Sequence, residues 1–381
     1  MSRMTVSITT IRVVTIALVI TTGLLGQSLV ASTAVVGPST CKPAYTHYPN
    51  IQTAVSSVPF NTIVMVCPGF YPEQVIISQP LTLEGVTDGT GNAAVITVPA
   101  GGLVQNATSN GFGPVTVQLL AQNTVGVIIK DLIVDGNGAN CPAGSNRNVG
   151  IGVFDVGTPN DGTTAATISN VVVRNETACD GDGILADTSY ITITGSEIHD
   201  INQTAIDAYS GKYSITNNSI LRSNAFGIVL FQNANGSLVS GNNVSNGASS
   251  GILSEGPNTG AIITKNTVLN NPYVGLWIYF ANNQSVTQNV VSNSEWTLVV
   301  EGGNSDTVQN NKLSNAVLDG VLDELSSGGN IITKNTVNEA QYGIFADGTT
   351  GGDTLVPNSF FNVVNTIDPG PVQGPSDPVQ P

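Results

Sequence analysis

The 381-residue chain has 11 Lys and Arg against 26 Asp and Glu, which gives a formal net charge of −15 at pH 7. So acidic a chain lacks the basic surface that phosphate backbones require, which excludes nucleic acid as a partner. Only 10% of its residues are charged and 42 are glycine. This composition excludes a chain disordered by charge or embedded in a membrane, and it is typical of a turn-rich fold.

The N-terminus has the pattern of an export signal. Arg3 and Arg12 precede an apolar run from Val13 to Leu25, and small residues follow. The run is short and wrongly flanked for a spanning helix, so we expect cleavage near Ala34, with an uncleaved anchor as the alternative. Removing residues 1–34 deletes two Arg and no acid, which moves the net charge from −15 to −17. We predict a secreted, periplasmic or cell-surface protein without a membrane attachment after signal removal.

Residues 35–60 are predicted to form an N-terminal cap. The segment from Asn50 to Val58 has amphipathic helical periodicity, and Asn50 is a suitable N-cap. Strand-like segments follow, first Thr62–Cys67 and then Leu81–Gly85. Residues 86–165 are less regular, and segments 88–92, 137–148 and 157–164 look like long loops. Long loops on a repeat scaffold usually gather on one side and build the binding site.

From Ala166 to Asn362 one short phrase recurs nine times at intervals of 22 to 25 residues. Its equivalent positions are Val171, Ser196, Asn218, Asn242, Asn266, Asn289, Asn311, Asn335 and Asn358. Each copy contains three short segments with strand alternation, which indicates a parallel β-helix with three strands per coil. We expect the repeated Asn to adopt the left-handed conformation of a sharp bend and to hydrogen-bond from coil to coil.

These repeats resemble the right-handed parallel β-helix of the pectin-lyase-like superfamily. The resemblance implies an all-β, single-stranded solenoid over residues 61–365, followed by a disordered Pro/Gly-rich tail at 366–381. It also implies that the short N-terminal helix plugs the open end of the coil, and that the Asn ladder lies between the second and third sheets. Because this fold is shared by lyases, hydrolases, esterases, epimerases and non-catalytic adhesins, it does not identify a reaction.

Four cysteines in an exported chain predict two disulfides. Sequence alone cannot rank the three possible pairings, but the register of the coils favours Cys41 with Cys67 and Cys141 with Cys179. A metal site is the poorer interpretation, because there is no Cys-x-x-Cys motif or neighbouring His.

The resemblance places a substrate groove along the outer face of the first sheet. Each first-sheet strand begins with a small residue, and the second and fourth residues after it should point outward. The fourth-position column is Asp187, Tyr209, Phe231, Glu255, Tyr279, Glu301, Glu324 and Asp347. The second-position column is Leu185, Asp207, Val229, Leu253, Trp277, Val299, Leu322 and Phe345.

Acids interleaved with aromatic residues are typical of a groove for a sugar polymer, because rings stack on pyranoses and carboxylates bind hydroxyls. Phe231, Glu255, Trp277 and Tyr279 are the predicted substrate-binding residues. The alternative is that the aromatic side chains pack under loops while the acids keep the protein soluble.

A catalytic pair is predicted at Asp187 and Asp207, which strand geometry places roughly 8 Å apart. Inverting glycoside hydrolases have carboxyl groups on the order of 6.5–9.5 Å apart. Tyr209 lies beside Asp187 on the next coil, and Asp182 comes from the preceding loop, so both join the predicted site. The alternative is that these are ordinary surface acids.

Glu301, Glu324 and Asp347 should stack on successive coils, about 4.8 Å apart. Three such acids must either bind a cation or raise one another's pKa values. Calcium is therefore the one candidate cofactor, and solvent-screened stacking is the alternative.

The only His–Asp pair lies in Glu197-Ile-His-Asp200. Alginate epimerases of this fold carry Asp-Pro-His-Asp, but here the Pro and the first Asp are missing, and a surface ion pair between Asp200 and Arg222 is expected instead. The motifs of polygalacturonases, pectate lyases and pectin methylesterases are absent. We therefore predict a monomer that binds or processes an extracellular polysaccharide by a hydrolase- or lyase-like reaction. The alternative is a non-catalytic envelope, adhesive or spacer protein.

Overall fold

The computed structural model describes residues 32–87, 93–156, 165–326, 328–347 and 352–368. Most of the predicted signal, the loops at 88–92 and 157–164, and the tail from residue 369 lie outside the described residues. The described part begins with β1 (Thr33–Val36), β2 (Thr46–Tyr48), α1 (Ile51–Ser57), β3 (Thr62–Val66), β4 (Gly69–Pro72), β5 (Val75–Ile77), β6 (Leu81–Gly85), β7 (Ala94–Thr97), β8 (Ala107–Ser109), β9 (Gly113–Gln122), β10 (Val127–Lys130), β11 (Ile133–Asp135) and β12 (Arg147–Phe154).

The repeats form β13 (Ala166–Ser169), β14 (Val172–Arg174), β15 (Asp182–Asp187), β16 (Tyr190–Thr194), β17 (Glu197–Ile201), β18 (Ile206–Tyr209), β19 (Lys212–Thr216), β20 (Ser219–Ser223), β21 (Phe226–Phe231), β22 (Leu238–Ser240), β23 (Asn243–Ser245), β24 (Ser250–Glu255), β25 (Ile262–Thr264), β26 (Thr267–Leu269), β27 (Val274–Tyr279), β28 (Ser285–Thr287), β29 (Val290–Glu301), β30 (Thr307–Gln309), β31 (Lys312–Glu324), β32 (Ile331–Thr333), β33 (Thr336–Ala346) and β34 (Ser359–Asp368).

Each regular coil contributes one strand to each of three sheets, in the order β15 (first sheet), β16 (second sheet) and β17 (third sheet). The second sheet has 13 strands in the order β2-β1-β3-β6-β10-β13-β16-β19-β22-β25-β28-β30-β32. The first and third sheets form one connected set of 21 strands, in which β29, β31 and β33 pass from the third sheet into the first without a break. β8 and β9 pair antiparallel, unlike the parallel coil strands. The predicted parallel β-helix is confirmed.

The core lies inside the coils and is built from residues in register on successive strands. Ile215, Val239, Ile263, Val286 and Val308 form one such column in the second sheet, and all are fully buried. Stacking one coil on the next removes these side chains from water, which stabilises units that could not bury an apolar face alone.

The predicted capping helix is confirmed as α1. Asn50 caps it, because its Oδ1 accepts the backbone N–H of Thr53 at 2.7 Å. The carboxylate of Glu73, from a neighbouring coil, accepts the free N–H groups of Ile51 and Gln52, both at 2.9 Å. A negative charge at a helix N-terminus is favourable, so Glu73 fixes the helix over the end of the core.

The Asn ladder forms between the second and third sheets. From Asn218 to Asn358, the side-chain Oδ1 of each ladder Asn accepts the backbone N–H of the previous ladder residue at 2.8–3.0 Å. The expectation that these Asn themselves adopt the left-handed conformation is wrong. The positive φ falls on the preceding residue, as at Asn217 (55°) and Lys265 (58°), and this leaves the ladder side chain pointing into the coil.

A second, exposed Asn ladder lies at the corner between the third and first sheets. Asn246, Asn270, Asn293 and Asn315 all have φ between 55° and 61°. The Nδ2 groups of Asn270, Asn293 and Asn315 each donate to the Oδ1 of the Asn on the preceding coil at 2.6–2.9 Å. Asn is suited to this corner, because its short polar side chain makes the left-handed conformation less costly than it is for other residues.

Both predicted disulfides form, between Cys41 and Cys67 and between Cys141 and Cys179.

Strand β1 begins at Thr33 and β34 ends at Asp368, so the described strands extend beyond the predicted limits of 61 and 365. Cleavage near Ala34 would fall inside β1, and it stays a prediction. In the described ranges, no helix is long and apolar enough to cross a membrane.

Candidate functional site

The first sheet stacks in the predicted register. Asp187 pairs with Tyr209, and Leu185 pairs with Asp207. The later strands continue both columns to Glu324 and Phe345. The repeat phase therefore places these side chains correctly along the solenoid, and what covers each one determines its chemistry.

The second-position column is covered by a second apolar layer. This outer layer consists of Phe226, Val229, Leu253, Val274, Trp277, Trp296, Val299, Leu322 and Phe345, with Tyr273, Tyr279 and Tyr342 packed against it. Trp277 is 0% exposed, and its Nε1 donates to Glu301 Oε2 at 3.2 Å. The assignment of Trp277 as a sugar-stacking residue is corrected, because residues entering each strand, such as Val274 and Trp296, join the same face and bury it.

Asp187 anchors a loop and does not face solvent. It is 1% exposed and accepts hydrogen bonds from Ser109 Oγ (2.7 Å), Asn110 N (2.5 Å), Asn110 Nδ2 (3.4 Å) and Thr188 Oγ1 (2.9 Å). The loop at 109–112 connects the antiparallel strands β8 and β9. The expected pairing of Asp187 with Asp207 as open catalytic carboxyls is corrected, because the loop occupies both oxygens of Asp187.

Asp207 instead belongs to a buried cluster around Arg147, the first residue of β12. Arg147 Nη1 lies 2.8 Å from Asp182 Oδ2 and 3.5 Å from Asp207 Oδ2. Its guanidinium stacks 3.8 Å from the centroid of the Phe112 ring. Asp182 Oδ1 accepts the backbone N–H of Thr204 at 3.1 Å. Two carboxyls therefore share one cation.

This environment favours the protonated form of Asp207. Burial raises the pKa of its carboxyl well above the ordinary range, and the charges of Asp182, Glu255 and Asp187 raise it further, while Arg147 opposes the rise. Within the described structure, Asp207 Oδ1 is buried and has no hydrogen-bond partner. A buried carboxyl with a raised pKa and a free oxygen is the arrangement expected of a proton donor.

Asp207 forms part of the wall of a small, open pocket with a cavity volume of about 30 Å³, here named the Asp207 cleft. The Asp207 cleft is lined by Phe112, Arg147, Thr204, Asp207, Phe226, Val229, Phe231, Leu253 and Glu255. A second pocket, the outer cleft, is lined by Gly111, Phe112, Ser145, Asn146, Arg147, Asp180, Phe231 and Gln232. The two pockets share Phe112, Arg147 and Phe231, so they are adjacent parts of one depression.

Three half-buried aromatic rings border this depression. The ring centroids of Phe112 and Tyr209 are 6.1 Å apart, and those of Tyr209 and Phe231 are 5.4 Å apart. Tyr209 donates its hydroxyl proton to Gln232 Oε1 at 2.9 Å, and burial raises the pKa of its phenol. A Cβ at Gly111 would lie 2.7 Å from the Tyr209 ring, so glycine lets the loop approach it.

The predicted acid stack is present but buried. Glu301, Glu324 and Asp347 are each at most 2% exposed. Burial raises the pKa of Glu324 to about 8, with further contributions from Glu301, Asp347 and Asp319. In the ranges that the structure describes, no three His, Cys, Asp or Glu side chains are placed to hold a metal ion. The raised pKa of Glu324 is one of the two outcomes expected for stacked acids, and calcium binding at this stack stays a prediction.

The His199 cluster is a surface ion pair on the third sheet, as expected. Asp200 accepts from Arg222 Nε at 2.5 Å and Nη2 at 2.8 Å, and it lies 2.6 Å from His199 Nδ1. These contacts hold the pKa of Asp200 below its usual range. The cluster lies on β17 and β20, on a different sheet from the Asp207 cleft.

Comparison with known proteins identifies relatives of the fold. A family model described as "Right handed beta helix region" matches residues 156–295 and 254–367, together more than half of the chain. A sequence search of curated proteins finds no match.

Among solved structures, the mannuronan C-5 epimerase AlgE6 A-module of Azotobacter vinelandii is 18% identical, with a TM-score of 0.67 over 85% of this chain and 91% of that one. The AlgE4 A-module of the same organism is 17% identical, with a TM-score of 0.65 over the same shares. A GH136 lacto-N-biosidase from Eubacterium ramulus is 11% identical, with a TM-score of 0.58 over 87% of this chain and 68% of that one. At these identities the similarity is one of fold.

Proposed function

Because the chain belongs to the right-handed β-helix family, we propose that it processes an extracellular polysaccharide in the Asp207 cleft by acid–base hydrolysis. The observation that carries this proposal is the environment of the Asp207 carboxyl. It combines a raised pKa, a free buried oxygen and a position in a pocket that half-exposed aromatic rings border. Aromatic faces can hold a sugar ring while the carboxyl transfers a proton.

Hydrolysis of a glycosidic bond needs two carboxyl groups in opposite protonation states. In the proposed reaction Asp207 donates its proton to the glycosidic oxygen as the bond to the anomeric carbon breaks. A water oxygen bonds to that carbon, and Glu255, which lines the same cleft, takes the proton of the water. Arg147 contacts Asp207 Oδ2 at 3.5 Å and orients the carboxyl.

Two further observations support a carbohydrate role outside the cytoplasm. The structures with the same fold are by name mannuronan epimerases and a lacto-N-biosidase. The two disulfides fit an oxidising compartment, either extracellular or periplasmic. Export by the signal at residues 1–34 and a monomeric state are parts of the same proposal.

The test is an assay of the purified protein on a panel of neutral and uronate polysaccharides, following both reducing ends and absorbance near 235 nm. We expect reducing ends to rise without absorbance, and Asp207→Asn to lower the rate on the order of 10²–10⁴-fold. Glu197→Gln removes an exposed carboxyl on the third sheet and serves as the control.

Wild-type turnover in Asp207→Asn would contradict the assignment of the proton donor. Rising absorbance would contradict hydrolysis and indicate β-elimination. Polymer binding without any product would favour the non-catalytic adhesive or spacer role.

A further inference from the structure

We infer that the Asp207 cleft and the outer cleft select a neutral pyranose polymer and exclude polyuronates. This inference rests on the proposed function and adds the substrate class to it. It sets the chain apart from the mannuronan epimerases of the same fold, whose named substrate is a uronate polymer.

The first argument is the environment of Arg147. Among the described residues that line the Asp207 cleft and the outer cleft, Arg147 is the only basic one. It is 5% exposed, and Asp182 and Asp207 already occupy its Nη1 at 2.8 and 3.5 Å. A uronate carboxylate would need a free, charged donor, and Arg is the preferred partner for such a group. The described lining offers no basic side chain apart from this paired guanidinium.

Other basic residues lie on other faces of the coil. Lys130 and Lys212 belong to second-sheet strands, and Lys130 pairs with Glu84 at 3.0 Å. Arg174 and Arg222 lie on the third sheet, where each pairs with an Asp. None of these four side chains lines the two clefts.

The second argument is the negative charge at the rim. Asp180 is exposed and lines the outer cleft, and Glu255 lines the Asp207 cleft. A polyuronate has one carboxylate on every ring, so each bound ring would bring a like charge close to these acids. Like charges repel most strongly where the surroundings exclude water. A neutral sugar does not incur this penalty.

The third argument is the remaining lining. Ser145, Asn146 and Gln232 supply neutral hydroxyl and amide groups to the outer cleft, and these can both donate to and accept from sugar hydroxyls. Phe112 and Phe231 border the same depression and provide apolar ring faces. Neutral polar groups beside half-buried rings match the hydroxyls and apolar faces of a pyranose.

The experiment measures binding and product formation with soluble neutral glucans and mannans, polygalacturonate, alginate and chitosan. Asp180→Lys is compared with Glu197→Lys, which changes the net charge equally but lies on the third sheet. We expect wild-type protein to bind a neutral polymer at least about 10-fold more tightly than any polyuronate, a difference of about 1.4 kcal/mol. Asp180→Lys should improve polyuronate binding several-fold over Glu197→Lys at low salt, and the gain should shrink at high salt.

Turnover of a polyuronate with no neutral polymer bound would overturn this inference while leaving the proposed function standing. Tighter binding of the cationic polymer chitosan would overturn it as well, because it would show that the acids select positive charge. Equal polyuronate binding by the two Lys variants would remove Asp180 from the explanation and contradict the rim argument. Failure to bind any of the polymers would contradict the proposed function and this inference together.

Discussion

Asp187 and Asp207 are both almost fully buried, yet their surroundings give them different chemistry. Asp187 accepts hydrogen bonds from Thr188 and from Ser109 and Asn110, which belong to the 109–112 loop. Asp207 keeps one oxygen without a partner and shares Arg147 with Asp182. Burial with few hydrogen bonds favours the neutral form of Asp207. One carboxyl therefore holds a loop, and the other is suited to transfer a proton.

Replacing Asp187 with Ala should destabilise the fold more than it alters the chemistry. The change leaves Ser109 Oγ and the Asn110 N–H without their acceptor, at a cost of about 1–3 kcal/mol. We expect a lower thermal midpoint and faster proteolysis at the 109–112 loop. Thermal melts and limited proteolysis of Asp187→Ala and of the control variant Glu197→Ala measure both effects. An unchanged midpoint with lost turnover would restore Asp187 as a catalytic residue.

Sequence reasoning found Asp182 and Asp207 but missed Arg147, for a physical reason. The repeat phase assigns register to every residue after Ala166, whereas Arg147 lies in the irregular part of the chain. Its position depends on the β8–β9 hairpin, which carries Phe112 over the guanidinium. The irregular segment contains no sequence period from which that contact could be predicted. The expectation that Trp277 is open to solvent failed because alternation gives the face of a strand and not what covers it.

At the scale of the element, the two Asn ladders perform different tasks with the same side chain. The ladder through Asn266 is buried, and Asn266 Nδ2 donates to Val239 O at 2.9 Å and to Asn289 Oδ1 at 3.0 Å. The ladder through Asn270 is exposed, at a residue with φ of 56°. The sequence could not assign the left-handed corner correctly, because Asn occurs at both of two adjacent positions, as in Asn217 and Asn218.

The same substitution in the two ladders should therefore have unequal effects. Asn266→Asp removes a buried donor and places an acid against a carbonyl oxygen, so we expect a loss of about 1–3 kcal/mol or more at pH 7. Asn270→Asp keeps a side chain that tolerates positive φ and remains in water, so the change should stay within about 0.5 kcal/mol. Denaturant unfolding of both variants measures the difference. Equal losses would show that the buried ladder does not stabilise the coil.

At the scale of the whole molecule, the solenoid buries several acids. Burial raises the pKa values of Glu176 and Asp323 to about 8 and those of Asp306 and Asp319 to about 7. Glu324 joins them at about 8. These carboxyls are protonated in the folded chain at a pH where the unfolded chain has already released its protons. The net charge of −15, counted with every acid ionised, therefore overstates the charge of the folded protein near neutral pH.

The raised pKa values determine whether the free energy of unfolding rises or falls with pH. Between about pH 4 and pH 8 the folded state binds more protons than the unfolded state, so the free energy of unfolding falls as pH rises. We expect a higher thermal midpoint at pH 5 than at pH 9. Glu324→Gln should reduce the slope, because the amide is neutral at every pH, and the exposed control Glu197→Gln should leave it unchanged. A midpoint that rises from pH 5 to pH 9 would contradict the raised pKa values.

The measurement that tests the central claim most directly is a crystal structure of the Asp207→Asn protein with a neutral oligosaccharide. We predict that the sugar lies in the Asp207 cleft, with a ring against Phe231 and a glycosidic oxygen within about 3 Å of the side chain at position 207. A sugar bound over the outer layer near Tyr279, or on the third sheet near Arg222, would contradict the assignment of the site.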